Sequence, residues 1–180
     1  VEGLDFHRPD SKLDRAHLEI NHSTVTVKDE QEGYIFSLLK YAVINVANST
    51  MTVDCKEGGA FIFFNGGVAN IKNSKIDAIK AYFIYKSKFI IYQYEKDISH
   101  LNIDGGRIKG DKGIYNLIRR EKDRFNSNFE LFAKKNNFLF GRSVLKNDWS
   151  IADVKMENNS FWSINGNTQV TNFLNDKSFL

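Results

Sequence analysis

The sequence predicts an all-β chain wound as a three-sided solenoid, each strand pairing in parallel with its copy one coil away. Three observations carry that expectation: a unit that recurs along the chain, alternation of apolar residues within it, and turn-forming residues at its centre. A repeated unit of this kind buries its apolar face only against its neighbours, so the repeat is read before any local propensity.

The unit is ten residues long. It is clearest in Leu18–Val27, Ile44–Val53, Ala69–Ala78 and Leu101–Gly110, and weaker in Leu131–Phe140 and Val154–Ser163. Its sixth position is Ser23, Ser49, Ser74, Gly106, Asn136 and Asn159, giving steps of 26, 25, 32, 30 and 23. Position three reads Ile20, Val46, Ile71, Ile103, Ala133, Met156, and position eight reads Val25, Met51, Ile76, Ile108, Phe138, Phe161. Both rows are expected to face inward, because apolar residues with period two mark strands with one buried face. Positions five and six interrupt the parity with His22-Ser23, Asn48-Ser49, Asn73-Ser74, Gly105-Gly106 and Asn158-Asn159. Such residues tolerate a left-handed backbone and bond to their own turn. Each unit therefore reads strand, bend, strand.

A third strand follows at Gly33–Phe36, Gly59–Phe63, Ala81–Tyr85 and Gly113–Asn116, where a small residue precedes aromatic and β-branched ones. About six coils at ~4.8 Å each would make a rod ~29 Å tall. Helical repeats would show a 3.6-residue period rich in Ala, Leu and Glu, which this chain lacks. A two-sheet sandwich is the stronger rival, but it does not require aligned bends.

Here the residues carry a resemblance. The bent unit with stacked asparagines resembles the right-handed parallel β-helix repeats of the pectin-lyase-like class, in which an asparagine ladder lines the bend. Asn48, Asn73 and Asn158 match that position, while His22 and Gly105 depart from it. Gly58-Gly59-Ala60 before Phe61 is weakly similar to a motif of polymorphic outer-membrane-type surface proteins. The resemblance implies an extracellular or cell-surface location. It does not imply one activity, because the fold hosts many.

The expected organisation is an N-terminal capping segment over 1–17, the β-helix over 18–165, and 166–180 as an end coil or a continuation into a longer protein. The polar stretch Arg119–Asn128 reads as a protruding loop.

Composition narrows the function. In 180 residues, 42% hydrophobic and 26% charged, the chain is not disordered. The lone Cys55 excludes an internal disulfide framework. A net charge of +3 makes no case for nucleic acid, and no apolar run reaches the ~18 residues of a membrane span. No cofactor or metal site is expected.

Enzymes of this class act on polysaccharides through paired carboxylates or a carboxylate with a basic residue. The best cluster is Asp77 with Lys109, one coil apart, and Asp104 nearby. Solvated surface charge with a cross-coil ion pair is the simpler account. Arg107-Ile108-Lys109 matches a hydrolase tripeptide, but its companion motifs are missing. Outward slots carry Asn45, Asn70 and Asn102, then Phe132 and Leu139 in the fifth copy, as candidate binding residues. In that fifth copy, at Phe132 and Leu139, either the register slips or an apolar patch faces outward for a partner. Three classes stay open: a non-catalytic structural or adhesive module, a polysaccharide-binding module, and a lyase or hydrolase. The first is favoured, with other coils or subunits, and glycans, as its expected partners.

Overall fold

The computed structural model describes residues 4–6, 16–38, 42–63, 67–86, 98–117, 128–134, 137–141, 143–145 and 151–180. Pro9, Asn136 and residues 119–127 of the expected loop Arg119–Asn128 lie outside the described residues, while Asn128 begins the strand Asn128–Ala133.

Alternating apolar residues form strands, and among the described residues these make two sheets with no helix. Every strand pairing among them is parallel. The larger sheet has eleven strands in two limbs. The first limb runs His17–Asn21, Val43–Ala47, Gly67–Ile79, Ile98–Gly110, Asn128–Ala133, Ile151–Glu157 and Asn172–Asp176. The second runs Thr24–Lys28, Thr50–Asp54, the latter halves of Gly67–Ile79 and Ile98–Gly110, then Asn137–Phe140 and Phe161–Ser163. The third strands build the smaller sheet: Leu4–Phe6, Glu32–Leu38, Glu57–Phe63, Tyr82–Lys86, Gly113–Leu117 and Ser143–Leu145. Pairing therefore extends to both sides of the span 18–165 that the repeat suggested.

Between the limbs the chain bends through the left-handed region. His22, Asn48, Asn73 and Asn158 have φ of 50°, 50°, 45° and 52°, and Gly105 has 71°. The asparagines hold the turn rather than an amide chain along it: Asn48 donates to Asn21 Oδ1, and Asn158 to the Lys134 carbonyl. The chain of hydrogen bonds lies one residue later. Ser49 Oγ accepts from Ser23 N–H at 3.1 Å, and Ser74 Oγ accepts from Ser49 N–H at 3.1 Å. Each hydroxyl in turn donates to the carbonyl two residues back, Ala47 or Lys72, at 2.7 Å. The next coil needs glycine, because a Cβ on Gly106 would sit 2.5 Å from the Ser74 carbonyl oxygen at φ +148°.

The core lies between the sheets and is built by rows of inward residues. Ile44, Ala69, Leu101, Leu131 and Val154 form one such row, all at most 2% exposed. Burying an isoleucine or leucine here contributes about 1.5–3 kcal/mol. Phe36, Phe61 and Phe83 line another row, with ring centroids 5.2 and 5.5 Å apart. Such offset and edge contacts add to simple burial. The first interior row of the bend side ends in Met156 and then Asn175, whose amide accepts from Ser178 N–H within its own turn.

Two expectations are corrected in the last copies. Gly106 pairs with Asn137 rather than Asn136, so the fifth bend holds one extra residue. The sixth does as well, with Asn158 and Asn159 both left-handed at φ 52° and 63°. One inserted residue flips the face of everything after it. Leu139 and Trp162 therefore continue the inward row of Ile108, and both are buried. Phe138 and Phe161, expected inside, pair in register with Arg107, and Phe161 is 38% exposed. Trp162 settles its indole N–H on the Gly141 carbonyl at 2.7 Å.

Candidate functional site

Parallel, in-register pairing places outward side chains of neighbouring strands side by side. On the first limb one outward row reads Glu19, Asn45, Asn70, Asn102, Phe132, Lys155, Leu174. Its amides form a ladder: Asn45 donates to Glu19 at 2.5 Å, Asn70 to Asn45 at 2.7 Å, and Asn102 to Asn70 at 2.8 Å. The ladder stops where the next slot holds Phe132. No amide follows there to donate to the Asn102 Oδ1.

The neighbouring outward row reads His17, Val43, Val68, His100, Glu130, Asp153, Asn172. Where the two rows leave the amide ladder, they line an open groove of about 380 Å³. Phe132 and Leu174 give it outward apolar side chains, while Leu131, Val154 and Phe173, which also line it, belong to the inward row. Its polar groups are partly committed: His100 Nδ1 lies 2.9 Å from Glu130 Oε2, and Asn172 donates to Asp153 Oδ1 at 2.8 Å. The Lys155 ammonium sits 2.5 Å from Glu157 and 4.7 Å from the Phe132 ring centroid, with Lys134 5.3 Å from the same centroid. An apolar floor with a few placed polar groups is the usual composition of a ligand site.

Of the candidate binding residues, Asn102 and Phe132 line this groove, and Asn45 and Asn70 belong to the ladder leading to it. Leu139 is not an outward residue but a core one, 0% exposed, because of the register shift. Glu130 and Asp153 fall one position before the ten-residue unit and Asn172 beyond its last copy, so the repeat does not mark them. Lys155 and Leu174 occupy the very slot that yielded Phe132, in copies where the sequence match is weak.

The catalytic candidates do not converge. Asp77 and Lys109 are register partners on the second limb, yet Asp77 is ion-paired to Lys75 at 3.3 Å and Lys109 to Asp111 at 2.8 Å. Asp104 stands on the other side of the bend, paired in register with Lys72. Burial pulls Asp111 upward, but the Lys109 ammonium and the Lys80 N–H at 3.0 Å hold its carboxyl below the ordinary range. Cys55 is buried and directed at the Gly33 carbonyl at 3.2 Å, and burial pushes its thiol up. A raised, enclosed thiol is a poor nucleophile. Among the described residues, no three of His, Cys, Asp and Glu are grouped to hold a metal ion.

No family model, curated protein or solved structure matches this chain.

Proposed function

We propose that the chain is a right-handed, three-sided parallel β-helix of about six coils, serving without catalysis as a rigid structural or adhesive module of a surface or extracellular protein. The right hand follows from the strong preference of parallel crossovers. Unbroken outward and inward rows along seven first-limb strands support the coiled reading over a sandwich. The resemblance to pectin-lyase-like repeats rests on the bends alone.

One observation carries the assembly role. Five exposed large apolar side chains fall within residues 161–180: Phe161, Ile164, Leu174, Phe179 and Leu180, the last three 57–63% exposed. Leu174 belongs to Asn172–Asp176, which pairs on one side only among the described residues, and Phe179 forms a parallel bridge with Phe161. An open parallel edge with an apolar border is a template for another strand. Its partner is a further coil or a subunit of a larger assembly. Carboxylates tied up in ion pairs, on different sides of the bend, support the non-catalytic part.

Sedimentation of the chain over a range of concentrations tests the assembly role. Association is expected, and Leu174→Asp with Phe179→Asp should shift it to monomer at unchanged melting temperature. A parent chain that stays monomeric and cleaves a polysaccharide would refute both parts.

A further inference from the structure

We infer that the partner of the open edge is a second copy of this chain, docked head to tail, with Asn172–Leu180 of one copy laid in register against His17–Val25 of the next. The inference deepens the assembly role proposed above and rests on it, naming the partner which that role leaves open.

The two segments are versions of one unit. Asn172–Asp176 and His17–Asn21 are five-residue strands, and each enters a bend through a left-handed residue, Lys177 at φ 54° and His22 at φ 50°. A serine follows in both, and its hydroxyl donates two residues back. Ser178 reaches the Asp176 carbonyl at 3.4 Å, and Ser23 reaches that of Asn21 at 2.9 Å. The chain then joins the second limb, at Phe179 through its parallel bridge to Phe161 and at Thr24 through its pairing with Thr50. Strand, bend and second limb therefore follow at the same spacing in both.

Both segments are edges. Among the described residues, Asn172–Asp176 pairs only with Ile151–Glu157, His17–Asn21 only with Val43–Ala47, and Thr24–Lys28 only with Thr50–Asp54. Apolar burial is incomplete at each. Leu18, Ile20, Val25 and Val27 are only partly buried, whereas their register partners Ile44, Val46, Met51 and Val53 are at most 1% exposed. At the other edge Phe173 is partly buried. Leu180, which follows Phe179 and so continues the inward row of Trp162, is 63% exposed. Head-to-tail docking sets Phe173 on Leu18 and Leu180 on Val25, which closes both apolar rows. Asn175, opposite Ile20, keeps both ends of its amide on Ser178, so the join takes no partner from it.

The outer face and the strand count fit the same register. Asn172 meets His17, Leu174 meets Glu19 and Asp176 meets Asn21, so no carboxylate faces a carboxylate. The sheets also end in complementary steps among the described residues. At one end the smaller sheet continues past Glu32–Leu38 to Leu4–Phe6, while the larger sheet stops at His17–Asn21. At the other end the larger sheet continues past Ile151–Glu157 to Asn172–Asp176, while the smaller stops at Ser143–Leu145. Two different patches of one chain make a heterologous contact, which repeats into an open linear array rather than a closed dimer.

Sedimentation of edge variants tests the direction. The His22 N–H and the Ala16 carbonyl both turn toward Val43–Ala47, so by alternation the Glu19 N–H faces the open side. Glu19→Pro removes that donor while sparing the ladder inside the chain. The parent should form a concentration-dependent series of oligomers. Glu19→Pro alone, and Leu174→Asp with Phe179→Asp alone, should each be monomeric. Their equimolar mixture should give dimers and nothing larger, because each chain keeps one usable edge. Strand content and melting temperature report whether each variant is folded. A second measurement does not depend on proline. With Cys55→Ala in both chains, oxidising a mixture of Leu174→Cys and Glu19→Cys chains should yield the mixed disulfide, since paired strands lie ~4.8 Å apart. Folded Glu19→Pro that associates like the parent, a variant mixture that stays monomeric, or cross-links joining Leu174→Cys chains to one another in place of the mixed disulfide would overturn the head-to-tail contact and leave the assembly role standing. A parent chain that is monomeric at every concentration would refute the assembly role and this inference with it.

Discussion

Ser49 Oγ takes the Ser23 N–H and gives its own proton to the Ala47 carbonyl, so one hydroxyl joins two copies of the unit at the bend. Removing it in Ser49→Ala leaves a backbone donor without its acceptor, a loss of about 1–3 kcal/mol, readable in urea denaturation. Gly106 responds to a different constraint. Gly106→Ala combines a left-handed strain of about 1–3 kcal/mol with a backbone clash against Ser74, and it should destabilise more than Ser49→Ala does. The serines and glycines of the bend were legible as turn formers from their types alone. That hydroxyls, and not the adjacent asparagine amides, carry the ladder depends on side-chain direction, which residue type does not report. Cys55 offers a third check at this scale. Buried against Gly33, it should resist a thiol reagent at pH 8 until the chain unfolds.

The bends of the fifth and sixth copies decide the faces of whole strands. Leu139→Asp would bury an unpaired charge and should unfold the chain, whereas Phe161→Asp, in the neighbouring outward row, should change stability by less than about 1 kcal/mol. The opposite order would restore the register that alternation first suggested. That register was not readable because Phe138-Leu139-Phe140 and Phe161-Trp162 are apolar on both parities, so period two cannot choose between them. Earlier copies, with Thr-Val-Thr-Val and Thr-Met-Thr-Val, leave no such choice. The groove suffered likewise: its aromatic was visible, while its carboxylates lay one residue outside the repeating unit. A turn between coils adds a pH dependence. Asp111, held below its ordinary range by Lys109 and Lys80, favours the fold while ionised. That contribution is complete above the unfolded carboxylate value near ~4 and fades as pH falls through the lowered folded value. Asp111→Asn should therefore lose stability at pH 7 and show a shallower acid decline than the parent in a pH series of urea melts.

Across the whole molecule, amides, rings and ammonium groups line up because one strand register is kept from His17–Asn21 to Asn172–Asp176. The groove, and the rigidity of the module we propose, depend on that stacking. Spin-label distances along the outward row test it directly, with Cys55 replaced by alanine and one label fixed at Glu19. Partners at Asn102, Phe132, Lys155 and Leu174 are three, four, five and six strands away, so the distances should climb in even steps to about 14, 19, 24 and 29 Å between backbones. Even increments of one coil spacing are the result the stacked arrangement predicts. Distances that plateau, or that fall back as the second label moves toward Leu174, would contradict it and favour a folded-over sandwich.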